Sequence, residues 1–446
     1  MACHFEVWIK ISKLSNKNTK SKIRTTNSYA LSAFGYLPIV LLFWAISLSG
    51  CRERQLSIAT PQMETKPEYW VRVLLLDNVA TCRLKSRTGF SVLEPETLTT
   101  QARFEQVDGP LDITVSSGEL TMGGQAFTGC GVVFLPDEPY IMNVNGEDYR
   151  GKLKFVINPD GKGFDLINLI PIEPYLAGVI GAEMPDYWEP AALEAQAIAA
   201  RTYCLYIKKR FGSGRSWDLK KTQAHQVYRG VRAESSQVWN AINITSGQVL
   251  LSKKGGSESD YELFPAFYSS ACGGHTEDSN KVFSGGSFES LVGVSCPYCK
   301  AVARPHFFLW PMVQFDKTEV TEKLLKKYPS LKSLGEVVSI ATQSQSDYGD
   351  FSRLTSVTLG GSTGKSGHLK AEDLRLTIDP SGRKIRSTIC QIVSEEDKWS
   401  FLYGRGWGHG VGMCQCGAQA MAREGKTARE ILSYYYRDSR ISTIDY

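Results

Sequence analysis

Residues 175–210 have the sequence YLAGVIGAEMPDYWEPAALEAQAIAARTYCLYIKKR, and the rest of the chain is organised around them. Pro190 suits the first turn of a helix, where the backbone N–H that proline lacks has no partner anyway. Beyond it, apolar residues recur at helical spacing: Leu193, Ala197, Ala200, Cys204 and Ile207. The pattern predicts a loop followed by an amphipathic core helix that begins at Pro190.

Glu183 is a lone carboxylate among small apolar residues, between Ala182 and Met184. A charged and unpaired carboxylate is costly in apolar surroundings. Such an acid is either paired with a cation or has its pKa changed by its environment. The sequence therefore indicates a functional role for Glu183.

The charge of the chain is unevenly distributed. The 446 residues carry a net charge of +5, and residues 1–50 contain six basic residues and one acidic residue. The remainder has 45 basic and 45 acidic residues. Such a neutral body lacks the basic surface that nucleic-acid binding requires, so no nucleic-acid partner is expected.

Residues 1–51 have the order of an export signal: a basic segment, an apolar run from Tyr29 to Leu48, and small residues. The last four residues, LSGC at 48–51, resemble a bacterial lipobox, in which Cys51 is acylated and becomes the mature amino terminus. An uncleaved membrane anchor is the alternative, because the apolar run is nearly long enough to span a bilayer. Either way, we expect an exported protein attached to a membrane on its periplasmic or outer side, and we favour a lipoprotein.

The remaining chain divides by composition. Residues 52–68 are polar and contain two prolines, which predicts a tether. Residues 69–170 predict a β-rich lobe, because short β-prone runs alternate with turn residues; the runs are 71–76, 111–115 and 153–157. Residues 171–440 predict a mixed lobe around the helix at Pro190. Within it we expect a short helix at 318–328 and strands at 354–359 and 374–378.

Two pairs of metal-binding residues lie within this mixed lobe. Cys272-Gly-Gly-His275 is followed, after 20 residues, by Cys296-Pro-Tyr-Cys299. This spacing is close to that of a zinc ribbon, and four nitrogen or sulfur ligands without water form a structural zinc site. We therefore expect a zinc-ribbon-like insertion at 272–299, with His306 as the substitute ligand if His275 faces a different group. A disulfide is the alternative, most simply between Cys296 and Cys299, because an exported chain meets an oxidising compartment.

Two long segments resemble the signatures of one family. The first is E-M-P…W…P…A-L-x-A-Q-A-x-A-A-R-T-Y at residues 183–203, and the second is GRGWGHGVGMCQCGAQAMAREGKTAREILSYYY at residues 404–436. Together they resemble the sporulation stage II protein D and amidase-enhancer family, over roughly residues 69–440. At 414 and 416 this chain has cysteines where a commoner family pattern has serine and tryptophan.

The resemblance implies a lytic transglycosylase, which cleaves peptidoglycan between N-acetylmuramic acid and N-acetylglucosamine without water and leaves a 1,6-anhydro end. Glu183 aligns with the catalytic glutamate of the family. A single acid can serve as general acid and then as base, which requires a pKa raised toward neutrality. The alternative is a glycan-binding module that activates a cell-wall amidase without cleaving the glycan.

The resemblance also suggests further site residues. A catalytic role is expected for Arg201, for which the alternative is an arginine that covers the helix flank. Substrate contacts are expected from Gln196, Tyr228, Trp407, His409 and Gln415. For Tyr228 a half-buried tyrosine is an equal alternative, as is tight packing for the Gly-rich segment that carries Trp407 and His409. The fold class expected is α+β, with a strand-rich lobe and a mixed lobe whose few helices form a glycan-binding groove.

Overall fold

The computed structural model describes residue 66 and residues 69–106, 109–127, 129–253 and 260–445. Every described residue belongs to one compact unit, residues 60–446. The expected leader, most of the expected tether and the lipidation candidate Cys51 lie outside the described residues. Among the described residues, no helix is both long and apolar enough to cross a membrane.

The fold is α+β, as expected, with helices and strands in several sheets. Its amino-terminal part is built from strands whose alternating residues face the core. The strands are β1 (Trp70–Val79), β2 (Thr81–Lys85), β3 (Phe90–Leu93), β4 (Thr100–Phe104), β5 (Leu111–Ser116), β6 (Glu119–Met122), β7 (Gln125–Phe127), β8 (Gly131–Pro136), β9 (Ile141–Val144), β10 (Glu147–Arg150), β11 (Lys152–Ile157) and β12 (Phe164–Pro171). The three β-prone runs predicted from the sequence are confirmed as β1, β5 and β11.

These strands, with β13 (Leu219–Lys220), form two sheets. The seven-stranded sheet has the order β13-β1-β12-β11-β8-β3-β4, and the six-stranded sheet has the order β10-β9-β2-β5-β6-β7. In the first sheet β12 is antiparallel to both β1 and β11, with Trp70 opposite Pro171. Since the chain leaves β12 directly into a helix, this sheet fixes where that helix begins.

The two helices that follow are α1 (Ile172–Glu183) and α2 (Pro190–Phe211). The start of α2 at Pro190 is confirmed. The expected loop before it is wrong, because residues 172–183 are helical. Helix α1 is buried almost all round, so it lacks the polar face that reveals a helix in sequence. Its glycines let it approach a neighbouring turn closely, since a Cβ at Gly181 would lie 1.9 Å from the backbone oxygen of Ala233.

The remaining elements continue the mixed part of the fold. The helices are α3 (Ser236–Ile244), α4 (Ser279–Val282), α5 (Pro305–Phe308), α6 (Lys317–Lys327), α7 (Ala371–Ile378), α8 (Gln415–Arg423) and α9 (Ala428–Tyr435). The strands are β14 (Gln248–Lys253), β15 (Tyr261–Leu263), β16 (Tyr268–Ser269), β17 (Leu309–Trp310), β18 (Val313–Asp316), β19 (Val337–Asp347), β20 (Ser352–Gly361), β21 (Ser366–Lys370), β22 (Gln391–Ser394), β23 (Lys398–Leu402), β24 (Gly404–Arg405), β25 (Met413–Cys414) and β26 (Arg440–Thr443).

Sequence expectations for this mixed part are met in two places and fail in one. The expected helix at 318–328 is confirmed as α6, and the expected strand at 354–359 is confirmed within β20. The expected strand at 374–378 is wrong, because these residues belong to α7. The apolar residues of α7 pack on α6 and β20, which a single short apolar run does not reveal.

Three hydrophobic clusters hold these elements together. The first joins the two large sheets to α1, α2 and α3. The second surrounds α8 and α9 and includes the cysteines at 272, 296, 299, 414 and 416. The third lies between residues 310 and 401, around α6, α7 and the sheets of β18 and β20. Trp188, in the connection between α1 and α2, packs against both the first and the second cluster.

Gly181→Ala is expected to destabilise the fold. The added Cβ would collide with the carbonyl of Ala233, which is backbone and cannot rotate away. Overpacking costs roughly 1–3 kcal/mol, and alanine returns up to about 1 kcal/mol in helix propensity. We expect the free energy of unfolding to fall by about 1–2 kcal/mol in urea titrations. Gly214→Ala is the control, because the space around Gly214 is open. Equal stability of the two variants would contradict the close packing of α1.

Candidate functional site

Glu183 is the last residue of α1, and its carboxylate is held by two donors. Oε1 accepts the backbone N–H of Val227 at 2.9 Å, and the side chain of Gln415 also hydrogen-bonds the carboxylate. None of the ion pairs among the described residues includes Glu183. The acid is therefore neutralised by no cation and is partly exposed at the end of a buried helix.

Burial raises the pKa of Glu183 above its usual value. The Val227 N–H, the Gln415 amide and the charge of Arg229 oppose this shift without cancelling it. The position at the carboxyl end of α1 acts in the same direction as burial, because the helix dipole disfavours an anion there. The result is an acid that keeps its proton to higher pH than a surface glutamate, as general-acid chemistry requires.

The loop that carries Val227 is anchored by Gln226, which is fully buried. The amide oxygen of Gln226 accepts from the Tyr175 hydroxyl at 3.1 Å. Its Nε2 donates to the carbonyl of Ala200 at 3.2 Å and to the Tyr268 hydroxyl at 2.9 Å. Three separate segments thereby fix the direction of the neighbouring Val227 N–H.

Tyr228 does not line a groove. It is 3% exposed, its hydroxyl donates to the side chain of Asn168 at 2.9 Å, and its ring packs against Gly178 of α1. Tyr228 is thus packed below the helix that carries the acid, more deeply than the half-buried tyrosine of the alternative.

Gln196 and Gln415 also lie inside the protein, which corrects their expected role as direct sugar contacts. Gln196, on α2, is fully buried, and Gln415, the first residue of α8, is 3% exposed. The Nε2 of Gln415 reaches the Oε1 of Gln196 at 3.5 Å. The two amides lie in a row on the inner side of Glu183, and both side chains are too deeply buried to contact a glycan.

Arg201, for which a catalytic role was expected, does not contact Glu183. It is fully buried, and its guanidinium forms a two-pronged ion pair with Glu173, with Nε–Oε1 at 2.9 Å and Nη2–Oε2 at 2.7 Å. Its Nη1 donates to the carbonyl of Gln248 at 2.9 Å. Glu173 lies at the opposite end of α1 from Glu183, about 15 Å away along the helix axis. Arg201 therefore joins α1, α2 and β14 and is structural.

The Gly-rich segment at 404–412 is not a flat extended strand. Gly406, Gly408, Gly410 and Gly412 all have φ between +70° and +102°, which other residues rarely adopt. At Gly412 a Cβ would lie 2.0 Å from the carbonyl oxygen of Phe267. The glycines serve backbone conformation and close packing, and they turn the intervening side chains in irregular directions.

Trp407 and His409 are both partly exposed on this segment. The guanidinium of Arg386 lies 4.9 Å from the centre of the Trp407 ring, and Phe307 meets that ring edge-on at 4.8 Å. Burial lowers the pKa of His409 to about 4, and its Nδ1 accepts the Val411 N–H at 3.0 Å. His409 is therefore neutral at physiological pH. Both side chains stay candidates for a substrate surface.

Four buried cysteines form a compact cluster, and its fourth member corrects the expected set. The sulfur atoms of Cys272, Cys296, Cys299 and Cys414 all lie within 4.8 Å of one another. The expected ligand His275 is not among them: its Nδ1 faces the carbonyl of Thr276 at 2.6 Å, and its ring stacks on Tyr348 at 4.0 Å.

Neither the substitute ligand nor the disulfide is supported. His306 is exposed and packs against Phe307. Cys296 and Cys299, the expected disulfide pair, are both free cysteines.

The cluster fits a metal ion in both size and chemistry. Tetrahedral zinc with Zn–S bonds of about 2.3 Å separates its sulfur atoms by about 3.8 Å, which is the Cys272–Cys299 distance. Hydrogen bonds from Cys272 and Cys299 lower the pKa of Cys296, whereas burial raises that of Cys414. Four thiolates are the donor set that soft or borderline metals select. The four cysteines could therefore bind a metal ion.

Some contributors to the site carry weak sequence signals or none. The Val227 N–H is a backbone group, so the residue type at position 227 gives no sign of its hydrogen bond to Glu183. Cys414 was visible as an unassigned cysteine, but the 114 residues between it and Cys299 hide any ligand spacing. Gln226 lies two residues before the sequence-identified Tyr228, and its buried position was not expected.

Comparison with known proteins gives consistent results. Residues 160–251, which span α1, α2 and the Val227 loop, match a family model described as stage II sporulation protein. An uncharacterized protein of Brachyspira hyodysenteriae is 29% identical, over 71% of this chain and 77% of its own length. The stage II sporulation protein D of Bacillus subtilis is 28% identical, over 62% of this chain and 76% of its own length. The amidase enhancer of Bacillus subtilis is 27% identical, over 75% of this chain and 50% of its own length.

Glu183→Gln is expected to stabilise the folded protein at pH 7. Because burial raises the pKa of Glu183 in the folded state, the wild type loses stability as pH rises from the unfolded-state pKa, about 4.3, through the folded-state pKa. Glutamine is neutral at every pH, so the stability difference should shrink on acidification and vanish below about pH 4. Urea unfolding across this pH range measures the difference. Glu189→Gln, at an exposed acid, is the matched control. A variant less stable than wild type at pH 7 would mean that the site favours the anion.

Proposed function

Because this chain belongs to the stage II sporulation protein D and amidase-enhancer family, we propose that it acts on the cell wall as a peptidoglycan lytic transglycosylase. The family is associated with cell-wall processing, and the finer activity is inferred from Glu183. The observation that carries it is a carboxylic acid with a raised pKa, free of any ion pair among the described residues and held by two hydrogen-bond donors.

The proposed reaction uses Glu183 twice. Its carboxylic acid donates a proton to the oxygen that links N-acetylmuramic acid to N-acetylglucosamine, and that bond breaks. The resulting carboxylate then takes the proton from the 6-hydroxyl of the same muramic acid, whose oxygen bonds to the anomeric carbon. The product is a 1,6-anhydro sugar, the proton inventory balances, and no water is consumed.

A single acid suits this reaction better than hydrolysis. Hydrolytic glycosidases normally place two carboxylates on either side of the bond. The nearest acids in sequence, Asp186 and Glu189, are exposed and form no hydrogen bond with Glu183. An intramolecular hydroxyl as nucleophile removes the need for a second carboxylate.

The polar groups behind Glu183 are proposed to position it. The Val227 N–H and the Gln415 amide set the direction of its carboxyl group, and Gln196 supports Gln415 from α2. Trp407 and His409 are the proposed glycan contacts, because they are the sequence-identified residues that keep exposed surface.

Activation of a cell-wall amidase is the alternative function. One relative carries the name amidase enhancer, and its match extends over 75% of this chain. In that case the same surface binds glycan strands and presents a partner amidase to them, and Glu183 breaks no bond.

We further propose that Cys272, Cys296, Cys299 and Cys414 hold a structural zinc ion. Four protein ligands leave no open position for water or substrate, so such an ion ties chain segments together and has no part in the reaction. We also propose that the protein is exported and attached to a membrane through Cys51 or through an uncleaved leader.

Digestion of purified glycan strands tests the enzymatic proposal. Strands with their stem peptides and strands freed of them should both be offered. Wild type should release fragments with anhydro ends, identified by mass spectrometry, from at least one of the two substrates. Glu183→Gln should lower the rate by at least about 100-fold, because general-acid catalysis contributes 10²–10⁴-fold. Asp186→Asn and Glu189→Gln should retain activity, since these exposed acids have no part in the reaction. If wild type and Glu183→Gln both release nothing but both bind the strands and stimulate an amidase, the activator function stands instead.

Metal analysis tests the corrected ligand set. Cys414→Ser should lower zinc affinity by more than about 100-fold, since loss of a ligand exceeds the 10–100-fold typical of groups around the ligands. His275→Gln should bind zinc as wild type does. Zinc content after purification without chelator, and competition with a coloured chelator, measure both. The reverse pattern would restore His275 as the ligand.

A further inference from the structure

Two arginines lie against the turn that carries Cys272, and neither has a carboxylate partner in the ion pairs of the described residues. Arg353, on β20, is 1% exposed, and its Nη2 donates to the carbonyl oxygen of Cys272 at 2.6 Å. Arg405, on β24, donates from Nε to the carbonyl oxygen of the next residue, Gly273. Both guanidinium groups therefore contact the backbone of a cysteine-cluster residue or of its neighbour.

The burial of Arg353 is costly as it stands. Its Nε and Nη1 are buried and have no hydrogen-bond partner among the described residues. A buried cation without a counter-charge is strongly unfavourable. The segment at Gly410 nevertheless makes room for it, since a Cβ there would lie 2.6–2.8 Å from three guanidinium atoms. The fold therefore buries the positive charge of Arg353 without a carboxylate partner in the ion pairs of the described residues.

The nearby acids are already engaged. Glu372 forms an ion pair with Arg375 at 2.5 Å, and Glu277 pairs with Lys281 at 3.5 Å. Burial, and to a smaller extent the charge of Arg353, lower the pKa of His409, so this histidine is neutral at physiological pH. Arg353 lies within electrostatic range of Glu372, but the partner of Glu372 is Arg375, so Arg353 has no carboxylate of its own in the ion pairs of the described residues.

The cysteine cluster, once it binds a metal ion, carries excess negative charge. A divalent ion bound by four thiolates carries a net charge of −2, and a buried double negative charge is as unfavourable as a buried cation. The carbonyl oxygen of Cys272 and its own Sγ are joined through only four covalent bonds, so they lie within about 5 Å of each other. Two guanidinium groups on this turn supply a charge of +2 next to the cluster.

We propose that Arg353 and Arg405 are the counter-charges of a tetrathiolate metal site at Cys272, Cys296, Cys299 and Cys414. Burying the Arg353 cation and burying the negatively charged thiolate cluster are each costly alone. The two costs offset each other when the metal ion is bound. The arginines are positioning residues: they raise the affinity of the site for a divalent ion without ligating it. This inference rests on the proposed metal site and is independent of glycan cleavage.

Zinc competition on the full chain tests the proposal. Arg353→Met removes the charge at similar volume, and Arg405→Met does so at a partly exposed position where folding is less at risk. Each should weaken zinc binding by about 10–100-fold, the range typical when groups around metal ligands are removed. Arg353→Lys keeps the charge and should stay within about threefold of wild type. Arg150→Met, which breaks an ion pair with Glu234 on the strand-rich part, should leave zinc affinity unchanged.

Cobalt provides a second readout. Absorption by the Co²⁺-loaded protein should show four-thiolate coordination in wild type and in both methionine variants, because the ligands themselves are intact. Folded Arg353→Met and Arg405→Met proteins that bind zinc within twofold of wild type would overturn the proposal. If Arg353→Met fails to fold, Arg405→Met alone decides. Absence of zinc binding in wild type would remove the metal site and this inference with it, while the anhydro-glycan assay would still judge Glu183 separately.

Discussion

The burial of one carboxyl group at the carboxyl end of α1 is the constraint on which the site depends. Glu183 lies where the helix dipole and the surrounding apolar residues both disfavour its anion. No ion pair among the described residues includes Glu183, and the charge of Arg229 relieves the cost only in part. The N–H of Val227 and the amide of Gln415 direct the group. The sheet that precedes α1 and the packing of Trp188 against two cores hold the end of the helix in place.

Most polar residues near the acid act on its geometry and have no access to a ligand. Gln226 anchors the Val227 loop through Tyr175, Ala200 and Tyr268, and the amides of Gln196 and Gln415 stand behind the carboxylate. Burying these hydrogen-bonding groups is tolerable because most of them are paired, although Nε2 of Gln196 has no partner among the described residues. The carboxyl group of Glu183 is therefore held in one orientation. This suits a reaction in which the same carboxyl group first donates a proton and then accepts one.

The sequence was sufficient for the features that depend on local pattern. Helix α2, strands β1, β5 and β11, and the isolation of Glu183 all follow from spacing and from an acid in apolar surroundings. Helix α1 was missed because burial on all sides removes its periodicity. Arg201 was misjudged because its partner, Glu173, comes from a different helix, and sequence spacing within α2 cannot show such a contact.

The prediction of the cysteine cluster was incomplete for the same reason. Cys272, Cys296 and Cys299 were predicted from local spacing, whereas Cys414 arrives through the parallel pairing of β25 with β16. That pairing brings Cys414 next to Ser269, close to Cys272 in the chain, across a separation that no motif spans. Tertiary contacts of this kind decide ligands that local chemistry leaves open.

The position of Cys414 also joins two regions that otherwise look separate. It precedes α8, and the next residue, Gln415, is the one whose amide meets Glu183. A single peptide bond therefore lies between a sulfur of the cluster and a group that aims the acid. Whatever fixes the position of the Cys414 sulfur therefore also restrains the start of α8, from which Gln415 contacts the acid.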